Sequence, residues 1–244
     1  MTRFFVAHED MQTDRFSLTG DNAAHAKVLR LKCGETVVVC DGQGQECLCQ
    51  IAHIDPKQVD LLVQNRYTSQ AEAKIQVRLY LGFPKADKLE HVIQKATELG
   101  AAEIIAFPTA RCVSRPDDKS LVKKLERWQK IAASAAEQSG RGVIPAVRVL
   151  PSYIAAIREA AQADLPVLFY ENEAGFTFSD AMAQRKDFLT VSLLTGPEGG
   201  LEQQEVDAAQ SEGLQICTLG KRILRCETAP LCALSAVMFA AGEF

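Results

Sequence analysis

The 244-residue chain has no run of the ~20 apolar residues that a membrane-crossing helix needs. Its first residues, MTRFFVAHED, meet acids too soon for a secretory leader, so a cytoplasmic location is expected. The spacing of a disulfide framework is also missing: Cys33, Cys40, Cys47, Cys49, Cys112, Cys217, Cys226 and Cys232 are scattered, as reduced and mostly buried thiols would be. Their single close pair, Cys47 and Cys49, fits a strand with both sulfurs on one face, and no metal site is expected. Neither GxxxxGK[ST] nor GxGxxG occurs, which counts against a phosphate-cradling nucleotide enzyme and a nicotinamide-dependent one. A net charge of −4 argues against indiscriminate coating of nucleic acid. Disorder is excluded by a hydrophobic content of 47% beside 24% charged residues.

The first seventy residues read as short strands. ETVVVCDGQGQECLCQIAHI places β-branched runs on either side of Asp41-Gly42-Gln43-Gly44, a hairpin signal, and QVDLLVQ alternates again. Between them and the amino terminus, DNAAHAKVLRLKCGE sets His25, Val28 and Leu29 at helical spacing before Gly34, predicting a helix packed on a small β-barrel. Tyr67 to Lys74, YTSQAEAK, reads as a linker. Beyond it, strand candidates at 75–83, 103–107, 166–170, 190–195 and 214–219 alternate with four helix candidates, predicting an α/β domain with a mainly parallel sheet. Leu89, Val92, Ile93 and Ala96 mark a buried stripe on the first helix, and Leu121, Leu125, Trp128, Ile131 and Ala135 one on the second. From Arg111 to Arg148 nine Lys or Arg face four acids, either a solvated helix face or a contact for an anionic partner.

In parallel sheets ligands bind beyond the carboxyl ends of the strands. Three loops qualify, after Tyr170, after Thr195 and after Leu219. The second is LLTGPEGGLEQQEV, whose glycines mean a tight turn or a close approach to something. Glu198 at its centre would repel a pyrophosphate, so a cationic ligand or an unphosphorylated nucleoside suits it better. The third, LGKRILRCETAPLCALSAV, sets Lys221, Arg222, Arg225, Glu227 and Thr228 around Ile223 and Leu224, too much charge at a strand end for a core.

Taken together, LTGPEGG, LGKRILRCETA, DKLEHVIQKATELGA, RWQKIAASAAEQSGR and HAKVLRLKCGE resemble the ribosomal RNA small subunit methyltransferase E family of the SPOUT superfamily, in order and over nearly the whole chain. The resemblance implies a PUA-like β-barrel for RNA at 1–70. It implies a SPOUT α/β domain at 74–244 with a deep trefoil knot, an exception to unknotted chains, and a homodimer. The implied reaction moves a methyl group from S-adenosylmethionine to the uracil N3 of a specific uridine in 16S ribosomal RNA. Leu194, Thr195, Gly196, Pro197, Gly199 and Gly200 would form one wall of the cofactor pocket, and Leu219, Gly220, Ile223, Leu224 and Thr228 another. Where the family more often has Ser-Glu-Arg after AFP, this chain has Thr109, Ala110 and Arg111. Cys226 stands at a position that varies in the family and is read as neutral, not as a nucleophile.

That chemistry needs charge stabilisation on the uracil carbonyls, and Arg225, permanently charged, is the candidate, with phosphate binding as its alternative. Glu198 or Glu227 would accept the N3 proton or brace the loops; both readings stand at this point. His25 and His91 lie on helices away from the loops and suit surface or packing roles. An N3 target must be unpaired or flipped out, held by cations that track the backbone: Arg30 and Lys32 from the barrel, Lys85 and Lys88, and Arg111, Arg115 and Arg141. The carboxy-terminal PLCALSAVMFAAGEF carries Leu231, Leu234, Val237, Met238 and Phe239 on more than one face, apolar surface that a two-fold partner would bury. An RNA-binding module that has lost catalysis is the alternative function, opposed by the intact glycines.

Overall fold

In the computed structural model, which describes residues 1–113, 116–184 and 187–244, apolar alternation in the amino-terminal part produces five strands. These are β1 (Arg3–Phe5), β2 (Arg15–Thr19), β3 (Thr36–Cys40), β4 (Gln45–Ile54) and β5 (Gln58–Thr68), with helix α1 (Gly20–Val28) between β2 and β3. They form one sheet in the order β1-β3-β4-β5-β2, curled around Phe4, Leu18, Val37, Val39, Ile51 and Leu61. Cys47 and Cys49 point together into this core, as their spacing requires. The β3–β4 hairpin turns where Asp41 Oδ1 accepts the Gln43 and Gln45 amides at 2.8 and 3.0 Å.

Two expectations fail here. Val28 and Leu29 do not pack on the sheet but stand 79% and 43% exposed, while Ala23 and Ala26 face it. The helix stops at Val28 because Arg30 takes a left-handed φ of 56°, well before Gly34. Nor is 67–74 a free linker. Tyr67 and Thr68 extend β5, and the Glu72 carboxylate accepts the Gly142 and Val143 amides at 3.0 and 3.1 Å and the Arg141 guanidinium at 2.7 Å. Contacts accordingly divide the chain into Met1–Glu72 with Ala133–Ile144, and Ala73–Ala132 with Pro145–Phe244. This differs from the continuous division at 1–70 and 74–244 by the inclusion of 133–144 in the first unit.

The second unit runs β6 (Gln76–Gly82), α2 (Lys88–Glu98), β7 (Glu103–Phe107), α3 (Asp118–Ser139), β8 (Ala146–Val149), α4 (Tyr153–Ala160), β9 (Leu165–Phe169), α5 (Phe178–Gln184), β10 (Thr190–Thr195), α6 (Gln203–Ser211), β11 (Gln215–Cys217) and α7 (Thr228–Ala240), the end of α3 lying in the first unit. The six strands are parallel in the order β11-β9-β10-β6-β7-β8. Val77, Leu79, Tyr80 and Leu81 on β6, and Val191, Leu193 and Leu194 on β10, are all buried, the near-continuous apolar runs of a sheet covered on both faces. The α2 stripe is buried as predicted, whereas of the α3 stripe Trp128 and Ala135 are buried and Leu121, Leu125 and Ile131 half-buried. Because β6 neighbours both β10 and β7, the chain direction of travel across the sheet reverses beside it. The carboxyl ends of β6, β9, β10 and β11 therefore adjoin one another, where a crevice forms.

Candidate active site

Beyond the ends of β9, β10 and β11 lies a cavity of about 430 Å³. The loop after β10 forms one wall through Thr195, Gly196, Pro197, Glu198 and Gly200. The segment after β11 forms the facing wall through Thr218, Leu219, Gly220, Arg222, Ile223, Leu224 and Arg225.

The glycines of the first wall serve both purposes that glycine allows. Gly200 closes a turn at φ +68°, with its amide donating to the Pro197 carbonyl at 2.9 Å, and a Cβ there would overlap the Glu171 carboxylate. At Gly196 a Cβ would come within 3.1 Å of Leu201 Cγ and 3.2 Å of the Gly200 carbonyl carbon. Beneath them, Gly82 ends β6, and a Cβ on it would lie 2.6 Å from Pro197 Cδ and 2.9 Å from Pro197 N. The Pro197 turn thus rests directly on backbone. Glu205 fastens its far end, accepting the Glu202 amide and the Ala110 amide, each at 2.9 Å.

Charge is concentrated on one side. Lys88, in the first turn of α2, has its Nζ 3.1 Å from Glu198 and 3.1 Å from Glu227, and faces the cavity. Glu198 also accepts the Lys85 amide at 3.0 Å. Burial raises both carboxyls, but the Lys85 amide and Lys88 at Glu198, and its own amide and Lys88 at Glu227, outweigh it. Both end below the ordinary carboxylate range and are ionised at neutral pH. The Lys88 ammonium is raised in turn by its bonds to Glu198 and Glu227. Burial, then Glu227, pushes the Cys226 thiol up to about 12, so it stays protonated and is no nucleophile. Arg225 is exposed, lines the cavity, and has no ion-pair partner among the described residues.

Several sequence-predicted residues lie elsewhere. Leu194 is fully buried in the sheet core, Thr228 opens α7, and neither lines the cavity. Gly199 makes room for Arg111, whose Cβ would sit 3.0 Å from an added Cβ. Arg111 itself is half-exposed, donating to the Gly199 carbonyl at 3.3 Å. Arg141, read as a phosphate contact, is only 5% exposed and held by Glu72, which corrects that reading: it is internal to the first unit. Lys88, read the same way, belongs to the cavity. Arg148, counted in the basic stretch, is paired with Glu103 at 2.9 Å and Glu159 at 2.6 Å. Arg115 lies outside the described residues. Arg30, Lys32 and Lys85 are exposed. His25 packs edge-on against Phe4, and His91 is exposed on α2. Sequence reasoning missed Phe169, Tyr170 and Glu171, although the loop they enter had been singled out by its place after a strand.

Two family models match. Residues 71–238 match one described as an RNA methyltransferase domain, and residues 18–64 one described as an RNA methyltransferase PUA domain. The chain is 37% identical to ribosomal RNA small subunit methyltransferase E of Bacillus subtilis, over 98% of its own length and 96% of the relative's. It is 34% identical to the Mycobacterium bovis protein of the same name, over 89% and 84% of the two lengths. Among solved structures, a ribosomal RNA small subunit methyltransferase E from Neisseria gonorrhoeae bound to S-adenosyl methionine superposes with a TM-score of 0.83 at 30% identity, covering 98% of this chain and 97% of that one.

Proposed function

Since this chain belongs to the RNA methyltransferase family that includes ribosomal RNA small subunit methyltransferase E, we propose that it methylates the uracil N3 of a uridine in 16S ribosomal RNA. S-adenosylmethionine is its cofactor, and the cavity fits it. Thr195, 3% exposed in the wall, has an Oγ1 without a hydrogen-bond partner among the described residues. Glycine backbone walls the space, and its lining carries both signs of charge, Glu171 and Glu198 with Glu227 at the border beside Lys88, Arg222 and Arg225, as a ligand with a sulfonium and a carboxylate requires. Gly196, Gly200, Thr195, Leu219, Gly220, Ile223 and Leu224 would hold the cofactor, with Phe169, Tyr170 and Glu171. When bound, S-adenosylmethionine supplies an electrophilic methyl group on a sulfonium.

The chain's own part is positioning and charge. Arg225 sets a permanent positive charge at the cavity mouth, where negative charge on the uracil carbonyls would be stabilised as N3 loses its proton. Glu198 and Glu227 act as braces: both are engaged by Lys88 and held at low pKa, which makes them weak proton acceptors. The exposed Arg30, Lys32 and Lys85 and half-exposed Arg111 are the candidates for tracking the RNA backbone.

The deep trefoil knot and the homodimer belong to the same reading. In support of the knot, the chain leaves β11 at the sheet edge and returns past β9 to place α7 on β10 and β6. In support of the dimer, α7 presents Phe239 at 76% exposure beside exposed Cys232 and half-buried Leu231. Leu234, Val237 and Met238, expected to share that surface, are spent on the chain's own core. The single observation that carries the assignment is the glycine-walled cavity at the ends of β9 to β11, with the buried Thr195 hydroxyl in its wall. Calorimetric titration should find binding of S-adenosylmethionine and S-adenosylhomocysteine and none of NAD; binding of NAD alone would overturn the assignment.

A further inference from the structure

Lys88 stands where helix energetics do not favour it. It is the first residue of α2, where the positive end of the helix dipole opposes a cation. The backbone before it is strained as well, because Ala86 takes φ +54°, a left-handed conformation uncommon for a residue with a side chain. Strain of this kind persists where the surroundings impose a geometry. Here the turn directs the Lys85 amide onto Glu198 and lets Lys88 Nζ reach Glu198 and Glu227, both at 3.1 Å, and Cys226 Sγ at 3.7 Å. Glu198 sits in the loop after β10 and Glu227 at the end of the segment after β11, the two walls of the cavity. One ammonium therefore joins three stretches of chain far apart in sequence.

Building on the cofactor assignment above, we infer that Lys88 is a positioning residue that holds the two cofactor walls together. Its charge does two things. It bridges the carboxylates, and it cancels the repulsion that would otherwise drive Glu198 and Glu227 apart, since both approach the same point and both are ionised. With Lys88 in place the loops meet around the ligand; without it two like charges face each other across the opening.

This account separates from a purely local effect of charge. Removing a cation beside a cationic ligand should by itself tighten S-adenosylmethionine relative to the uncharged-sulfur product S-adenosylhomocysteine. Loosening the walls weakens both. Lys88→Met is therefore expected to bind both about tenfold more weakly, a change of the size that loss of a charged hydrogen bond produces. Lys88→Arg should retain affinity to within about threefold, keeping charge and reach. Lys88→Met combined with Glu227→Gln should recover part of the lost affinity, because the second change removes the repulsion. Hydrogen exchange on the ligand-free proteins reads the walls directly: amides of 196–200 and 218–227 should exchange faster in Lys88→Met and slow again in the double variant, with the melting temperature checking that each variant is folded. Unchanged loop exchange in a folded Lys88→Met protein would overturn the inference, as would a double variant no better than the single one. If exchange responds as expected while the wild-type protein binds neither sulfur compound, the clamp stands and the cofactor assignment falls.

Discussion

Arg225→Ala is expected to lower the rate of methyl transfer by roughly 10²–10³-fold, the loss seen when a preorganised group facing developing charge is removed, while S-adenosylhomocysteine affinity should stay within about threefold. The split follows from position. Arg225 is exposed at the cavity rim, and no carboxylate among the described residues neutralises it. Lys88, by contrast, is consumed by Glu198 and Glu227. Arg225 is thus free to meet a substrate anion. Guanidinium cannot act as the base, so the part proposed for it is stabilisation of the deprotonated uracil. Single-turnover rates at saturating RNA, together with calorimetry on the same preparation, check this. Near-wild-type turnover would remove Arg225 from the chemistry, and a parallel loss of cofactor affinity would reassign it to the cofactor.

Gly82→Ala is expected to weaken S-adenosylhomocysteine binding by roughly fivefold to 150-fold, the range that follows from about 1–3 kcal/mol of overpacking. A single methyl group on Gly82 would lie 2.6 Å from the Pro197 ring and 2.9 Å from its nitrogen, and neither ring nor backbone can swing aside as a long side chain could. Either the turn at 197–200 lifts or β6 shifts from β10, and the first moves the cavity wall proposed to hold the cofactor. Calorimetry tests it, with near-ultraviolet circular dichroism confirming that the sheet is intact. A folded Gly82→Ala protein that binds normally would show that the turn accommodates the clash without involving the cavity.

Neither of these effects has the same visibility in sequence. LTGPEGG announces itself, since four turn-prone residues after an apolar strand can be read without coordinates. Gly82 looks like any strand terminator, because what it approaches is more than a hundred positions away. Arg141 shows the same limit from the other side. Its partner Glu72 is 69 residues distant, so a neutralised, buried guanidinium reads as a free cation in a basic stretch. Lys88 reads as a cation that tracks the RNA backbone until Glu198 and Glu227 converge on it from two other loops. Local pattern served best where elements are long. The stripe on α2 is buried as its period requires, whereas β8, with four residues, and α5, with seven, are too short for periodicity to register. At α1 the apolar spacing was real but the helix ended before using it, because Arg30 adopts a left-handed turn that no composition rule singles out.

The most direct test is the chemical identity of the product. Small ribosomal subunits lacking the modification are incubated with the protein and S-adenosylmethionine, the RNA is digested to nucleosides, and the methylated species is compared by chromatography and mass spectrometry with authentic standards. The account predicts 3-methyluridine, formed by the wild-type protein and lost with Arg225→Ala. A ribose-methylated or carbon-methylated uridine, another methylated base, or no methylated nucleoside at all would contradict it.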